Sequence, residues 1–418
     1  MRNKIALTAL ASVGLLAICG AAQAQETTTT WKGAPQFQND DAMFKIRGRI
    51  LVDAVFQDID RGGGTVGDVQ VRNLRGRQMF LGVEGQLNSR LAYKLEGGAV
   101  QGGSFAWDDA VIEYKPTDFT SVQVGNVKAF SLENLTSTRF RTFMEQGALG
   151  EMTEANYNLG VVAKTWGQNY TLSAAIQGDS LNSGEIATTI GAGAVDAKER
   201  LQFVVRGTFA PILTDTTKVH LGLWAKQREN GTEAGFTYQT KANTSNAVRY
   251  TSSGAFGRSD TTIGAEFVAI HKNLSFQAEY ANIDVKKLAT ISAANGSDGS
   301  IQTGYAFVSW FPTGDMRNYD VAKGEIGRPK IKNPITAGGW GGVELAARYD
   351  YADLTELAGT VTGPAQAGKY KSYTVGANYY PTSYVRLMVN YTHAESENVL
   401  LTNSYDQDIL QFRTQLDF

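Results

Sequence analysis

The 418-residue sequence is poor in the residues that most often carry chemistry or crosslinks: one cysteine, three histidines and eight prolines. A lone Cys19 excludes a disulfide framework and a thiolate metal site. His220, His271 and His393 are scattered, and none falls into a Ser/His/acid pattern, which argues against a hydrolytic enzyme. An excess of either charge is lacking too. Lys and Arg number 39 against 41 Asp and Glu, a formal net charge of −2. That balance makes nucleic acid an unsuitable partner, and it leaves any preference for anions to the local placement of cations. Past residue 24, no apolar run approaches the roughly 20 residues that a spanning helix needs.

The first 24 residues differ in kind. Arg2 and Lys4 precede an apolar run from Ile5 to Ile18, and Ala22-Gln23-Ala24 closes it with small residues. This is the layout of a secretory signal cleaved after Ala24. Cys19 raises lipoprotein processing as an alternative, but Ile18 stands where that motif wants a small residue. Cleavage removes the only cysteine, which suits passage through an oxidising periplasm. Residues 25–41 are polar and read as a loosely held periplasmic segment, and 42–418 form the folded body.

That body is rich in alternation. Phe44, Ile46, Gly48, Ile50, Val52, Ala54 and Phe56 share one face of an extended strand, and Lys45, Arg47, Arg49, Leu51, Asp53 and Val55 share the other. An apolar stripe backed by three cations and a carboxylate fits a barrel wall with lipid outside and water inside. The pattern recurs. Met79, Leu81, Val83 and Leu87 face away from Arg77, Glu84 and Gln86. Leu201, Phe203, Val205 and Phe209 are backed by Gln202, Arg206 and Thr208, and Leu221 and Leu223 by His220, Trp224 and Lys226. The expected fold is all-β: a transmembrane antiparallel β-barrel of about 16 strands.

Connections alternate in length. Short turns at 88–89, 167–169, 271–273 and 381–383 alternate with long loops near 57–76, 179–198, 228–259, 284–300, 353–369 and 394–405. Short turns are expected in the periplasm and long loops outside. The connection 312–341 breaks the rule, being long where a short turn belongs. Tyr114, Phe209, Phe311 and Tyr380 each sit just before a proline at a strand end, as a girdle at the membrane surface followed by a strand stop would require. The last strand alternates Leu410, Phe412, Thr414, Leu416 and Phe418. A terminal phenylalanine after such a strand resembles the signal read by the barrel-assembly machinery.

Three stretches resemble one family. They are Trp31-Lys32-Gly33-Ala34-Pro35 with Phe44 to Arg49; Gly125 to Glu133 with Thr136-Ser137 and Phe143-Met144-Glu145; and Thr313-Gly314-Asp315, Arg317, Tyr319 and Gly338 to Tyr349. Together they are similar to the phosphate- and polyphosphate-selective porins O and P. The resemblance implies a 16-stranded trimeric outer-membrane porin of a Gram-negative cell, its third loop folded inward to narrow the lumen, with no cofactor. The sequence departs from the family where Ala129, instead of proline, follows Lys128.

Guanidinium groups suit oxyanions, offering planar paired donors and a permanent charge. The candidate anion path comprises Arg47, Arg49, Arg75, Arg77 and Asp109 on strands, with Lys128, Ser131, Arg139 and Arg141 from the inward loop. Arg206, Lys226, Arg348, Arg386 and Arg413 line later strands; the plainer expectation for each is a pair with a neighbouring carboxylate. Arg317, Lys323, Arg328, Lys330 and Lys332 make 312–341 a mildly basic collector over the periplasmic mouth, with Pro329 and Pro334 keeping it from forming strand. Gly62-Gly63-Gly64 lacks the lysine of a phosphate-cradling loop, and Asn295 to Gly299 is turn chemistry, not a calcium loop. The expected function is passive diffusion of small anions, phosphate or polyphosphate by resemblance. A general porin for small hydrophilic nutrients is the rival. A barrel enzyme or an adhesin fits less well.

Overall fold

The computed structural model describes residues 27–31, 33–60, 68–100, 103–183, 199–231, 235–246, 248–292, 295–358, 367–398 and 404–418. The signal segment, Lys32 and Gly62 to Gly64 lie outside the described residues.

A hairpin of β1 (Thr28–Trp31) and β2 (Pro35–Gln38) leads into β3 (Met43–Asp60). Then come β4 (Val69–Asn88), β5 (Leu91–Val100), β6 (Phe105–Thr117), β7 (Thr120–Val127), β8 (Asn158–Trp166) and β9 (Tyr170–Gln177). The wall continues with β10 (Leu201–Leu213) and β11 (Thr217–Glu229), and after a short β12 (Phe236–Thr240) with β13 (Thr251–His271), β14 (Leu274–Lys287) and β15 (Gly299–Trp310). β16 (Met316–Asp320) and β17 (Glu325–Lys330) form a separate hairpin. β18 (Gly342–Asp353), β19 (Gly368–Thr382), β20 (Val385–Asn398) and β21 (Ser404–Asp417) complete the chain. Sixteen of these strands pair antiparallel in chain order, and β21 pairs back onto β3 from Asp406–Asp60 to Asp417–Arg49, closing the cylinder.

Side chains divide as the alternation expects. Ile50, Phe56, Leu81, Phe203, Leu223 and Phe412 point outward and are exposed, while Arg49, Asp53, Arg206, Trp224 and Arg413 are buried inside. A bulge supplies one exception. Opposite Leu51 and Val52 the partner skips from Gln78 to Gly76. Arg77 has the parity of the outward Met79, yet the extra residue turns it inward to Glu145.

Several expectations need correction. Residues 28–38 are not a loose lead-in, because β2 extends the sheet by pairing with β3. The loop expected at 57–76 is overrun at both ends, since β3 and β4 continue pairing to Ile59–Val69. Polar strand outside the membrane carries no apolar alternation to betray it. Tyr114 and Phe209 face outward as a girdle needs, but Phe311 and Tyr380 point inward and pack on each other at 5.9 Å. Their outward neighbours Trp310 and Tyr379 hold the girdle positions by parity. Pro312 follows the end of β15 as expected, but the other three prolines do not stop their strands. Pro116, Pro211 and Pro381 sit within register shifts near the strand ends, where no ladder N–H is asked of them.

Candidate permeation path

Three segments fold into the lumen. The first is the loop 128–157 between β7 and β8, which carries α1 (Leu132–Leu135) and α2 (Ala148–Met152). It is fastened to the far wall at many points. The backbone N–H groups of Leu132 and Glu133 donate to the Glu279 carboxylate at 2.9 and 2.6 Å. Glu133 accepts from Arg348 at 2.7 Å, and Asn378 donates to the Thr142 carbonyl. Glu145 accepts from Arg77 at 3.0 Å and from Arg413 at 2.6 Å. Burial works to raise the Glu145 pKa, but these two guanidinium groups hold it well below the usual carboxylate range.

The second segment is 241–246, from the connection between β11 and β13. Asn243 donates to Asp350 at 2.7 Å, Ser245 to Asp53 at 3.2 Å and Asn246 to Gln57 at 2.6 Å. Nothing in its small polar sequence, Lys-Ala-Asn-Thr-Ser-Asn, signals burial. The third is the β16–β17 hairpin, which enters from the short-turn end. Arg317 forms a buried pair with Glu344 and donates to the Phe140 carbonyl of the inward loop. Tyr319 hydrogen-bonds His220 at 2.6 Å, and Arg206 donates to the Gly324 carbonyl. The hairpin therefore fills part of the lumen instead of covering its mouth. Pro329 lies inside β17, within the register shift beside Met316, so it does not prevent the strand.

Among the described residues, the space between these segments and the wall includes three large chambers. The outer one, about 400 Å³, is lined by Arg200, Arg228, Lys241 and Arg249, by Glu151, Glu154 and Asp179, and by five side-chain amides. The middle one, about 220 Å³, is lined by Arg77, Asp108, Lys128, Arg141, Glu145, Lys241 and Arg413 among others. The inner one, about 500 Å³, brings nine lysine and arginine side chains against four carboxylates. The outer and middle chambers share Gln146, Asn156 and Tyr157 in their walls. The middle and inner chambers share Lys128 and Tyr157.

The expected site residues are spread unevenly over this path. Arg47 and Arg49 both pair with Glu96, and Arg49 also pairs with Asp108 and stacks over Phe80 at 4.4 Å. Arg139 is buried on the same Glu96. Asp109 lines the inner chamber, tied to Lys94 at 2.6 Å. Arg75 donates to Ser245.

Ser131 is not on the path. It is fully buried at φ 57°, capping α1 by accepting from the Asn134 N–H at 3.3 Å. Lys128 and Arg141 stand apart from the rest. Lys128 donates to the Asn134 carbonyl at 2.9 Å and Arg141 to the Glu133 carbonyl at 3.2 Å, and neither makes an ion pair among the described residues. The Lys128 ammonium lies 4.6 Å from the centre of the Tyr157 ring. Burial, together with the Arg141 charge, brings its pKa down to about 7.

On the hairpin, Lys323 and Arg328 line the inner chamber. Arg328 binds Asp417 and the Ser383 carbonyl and stacks between Phe140 and Tyr384. Lys330 and Lys332 are exposed. The later-strand cations serve as clamps on the inward segments: Arg206 on Gly324, Lys226 on the Thr153 carbonyl, Arg348 on Glu133, Arg386 on the Arg141 carbonyl, and Arg413 on Met144 and Glu145.

The sequence reading missed Lys94, Lys164, Lys241 and Tyr157. Its place next to the outward Ala163, and so on the opposite face, is enough to find Lys164, whereas Tyr157 and Lys241 carry no local signal.

A closed wall with an apolar exterior and a charged, watered interior defines the class: the chain is an outer-membrane porin. The family model described as phosphate-selective porin O and P matches residues 44–418, and the chain belongs to that family. Porin O of Pseudomonas aeruginosa is 24% identical over 364 residues, covering 80% of this chain and 77% of that protein. A protein of Caulobacter vibrioides carrying no functional name is 27% identical over 411 residues, covering 94% and 77%. OmpT of Vibrio cholerae, solved as expressed in the outer membrane, shares the fold with a TM-score of 0.53 at 11% identity, covering 91% of this chain and 99% of that one.

Proposed function

We propose that the chain is a passive diffusion channel for small anions, inorganic phosphate and polyphosphate among them, and has no enzymatic activity. The observation that carries this reading is the pair Lys128 and Arg141. Among the described residues they are cations without carboxylate partners, at the wall of the middle chamber, above an inner chamber with nine cationic side chains against four carboxylate side chains. A fixed positive charge in a narrow, poorly screened passage offsets the dehydration of an entering anion. Arg47, Arg49, Arg77 and Asp109 then act as a balanced lining that holds the passage open, with Lys323, Arg328, Lys330 and Lys332 gathering anions at the periplasmic end. Reversal potential in planar bilayers under a KCl gradient, with and without phosphate, tests this. Anion selectivity with phosphate block is expected, and cation selectivity without block would reject it.

A general porin is the second reading. It is favoured by the ion pairs that neutralise Arg47, Arg49, Arg139, Arg206, Arg317, Arg348 and Arg413. The family and the trimer form solved for the Vibrio protein support a homotrimer. Export through a signal at 1–24 and assembly through Phe418 complete the proposal.

A further inference from the structure

We infer that Tyr157 sets the specificity of the path, acting as a stacking platform that favours anions carrying a hydroxylated ring, the chemistry shared by sugar phosphates and sugar acids, over bare inorganic anions. The inference rests on the anion-channel reading above and names its substrate class. Among the described residues, Tyr157 is the one that lines all three chambers, so a solute that crosses them meets its side chain.

Burial and the nearby Asp108 and Asp109 charges push its phenol well above the ordinary value, so the ring remains neutral across the physiological range. A neutral aromatic face attracts the C–H face of a sugar ring, and it adds little for a bare phosphate, which has no apolar surface to bury.

Gln146 and Asn156 stand beside it in the wall shared by the outer and middle chambers, and their side-chain amides make no hydrogen bond among the described residues. Each amide presents two donors and a carbonyl acceptor. The several hydroxyl groups of a sugar ring both donate and accept, so they use the whole amide, whereas inorganic phosphate near pH 7, with three acceptor oxygens to one hydroxyl as the dianion, draws chiefly on its donor half. Lys128 and Arg141 receive the charged end. The middle chamber, about 220 Å³, holds several water-sized volumes of about 30 Å³ each, which leaves room for more than a bare ion.

Concentration-dependent block of single-channel current separates these ideas. The intact channel in KCl at pH 7 is challenged with inorganic phosphate, glucose 6-phosphate and glucose, alongside the variants Tyr157→Phe and Tyr157→Ala. Half-block by glucose 6-phosphate is expected at a concentration about three- to tenfold below that of phosphate, the span that aromatic contacts supply. Tyr157→Phe should keep that ratio. Tyr157→Ala should erase it, bringing the two half-block concentrations together, and glucose should not block at these concentrations. Equal block by the two phosphates in the intact channel, or a ratio that survives Tyr157→Ala, overturns the inference and leaves the anion channel standing. Cation selectivity with block by neither overturns both.

Discussion

Arg413 on the last strand holds Asp53 on the first through two parallel hydrogen bonds of 2.7 Å each. The same guanidinium reaches Glu145 of the inward loop at 2.6 Å. The seam that closes the barrel and the loop that narrows it thus share one side chain. Replacing Arg413 with Leu strips buried Asp53 of its guanidinium and leaves Glu145 with Arg77 alone, a loss of about 3–5 kcal/mol by the cost of breaking such a pair. We expect a lowered thermal midpoint by circular dichroism and noisier open-channel current. Adding Asp53→Leu should restore part of the midpoint but not the quiet current, because Glu145 then keeps only Arg77 to hold the inward loop.

Lys128 confers a pH response. With its pKa near 7, the ammonium is charged below that value and loses its proton as pH rises through it. Anion selectivity should therefore grow from pH 8 to pH 6, read as a shift in reversal potential under a KCl gradient. Lys128→Met should flatten the curve at the level of the high-pH channel. A slope that survives the substitution would assign the titration to another group.

The β16–β17 hairpin occupies lumen that a plain turn would leave open. Deleting residues 318–335 removes Lys323 and Arg328 from the inner chamber and retains Arg317 on Glu344. Larger single-channel conductance and weaker anion preference are expected together. Unchanged reversal potentials would show that the hairpin contributes bulk and not charge.

Ser131 tests the boundary between framework and path. Ser131→Ala should cost about 1 kcal/mol of local stability through the lost helix cap, with reversal potential and phosphate block unaltered. Ser131→Gly should be milder, since φ 57° suits glycine.

How much of this was legible beforehand depends on the range of the forces involved. The residues of Phe44 to Phe56 and Leu410 to Phe418 announce a membrane wall because lipid and water lie on opposite sides of every strand, so each side chain is chosen by its immediate neighbours. Barrel class, strand number and the inward direction of Arg47, Arg49 and Arg413 follow from that local rule. Which cations remain unneutralised does not. Glu96 meets Arg47, Arg49 and Arg139 only after three strands and a loop converge, and Glu279 meets the Leu132 and Glu133 N–H groups across the lumen.

The sequence by itself determined the cylinder, the side of the wall that regularly paired strand residues face and the family. Tertiary structure alone decided that Ser131 is buried framework, that segment 241–246 and the β16–β17 hairpin enter the lumen, that a bulge places Arg77 against Glu145, and that Lys128 and Arg141 have no carboxylate partner among the described residues. The physical reason is that alternation is enforced residue by residue by two solvents, whereas a pore's charge balance is a sum over side chains from distant parts of the chain, settled only where the inward loops come to rest.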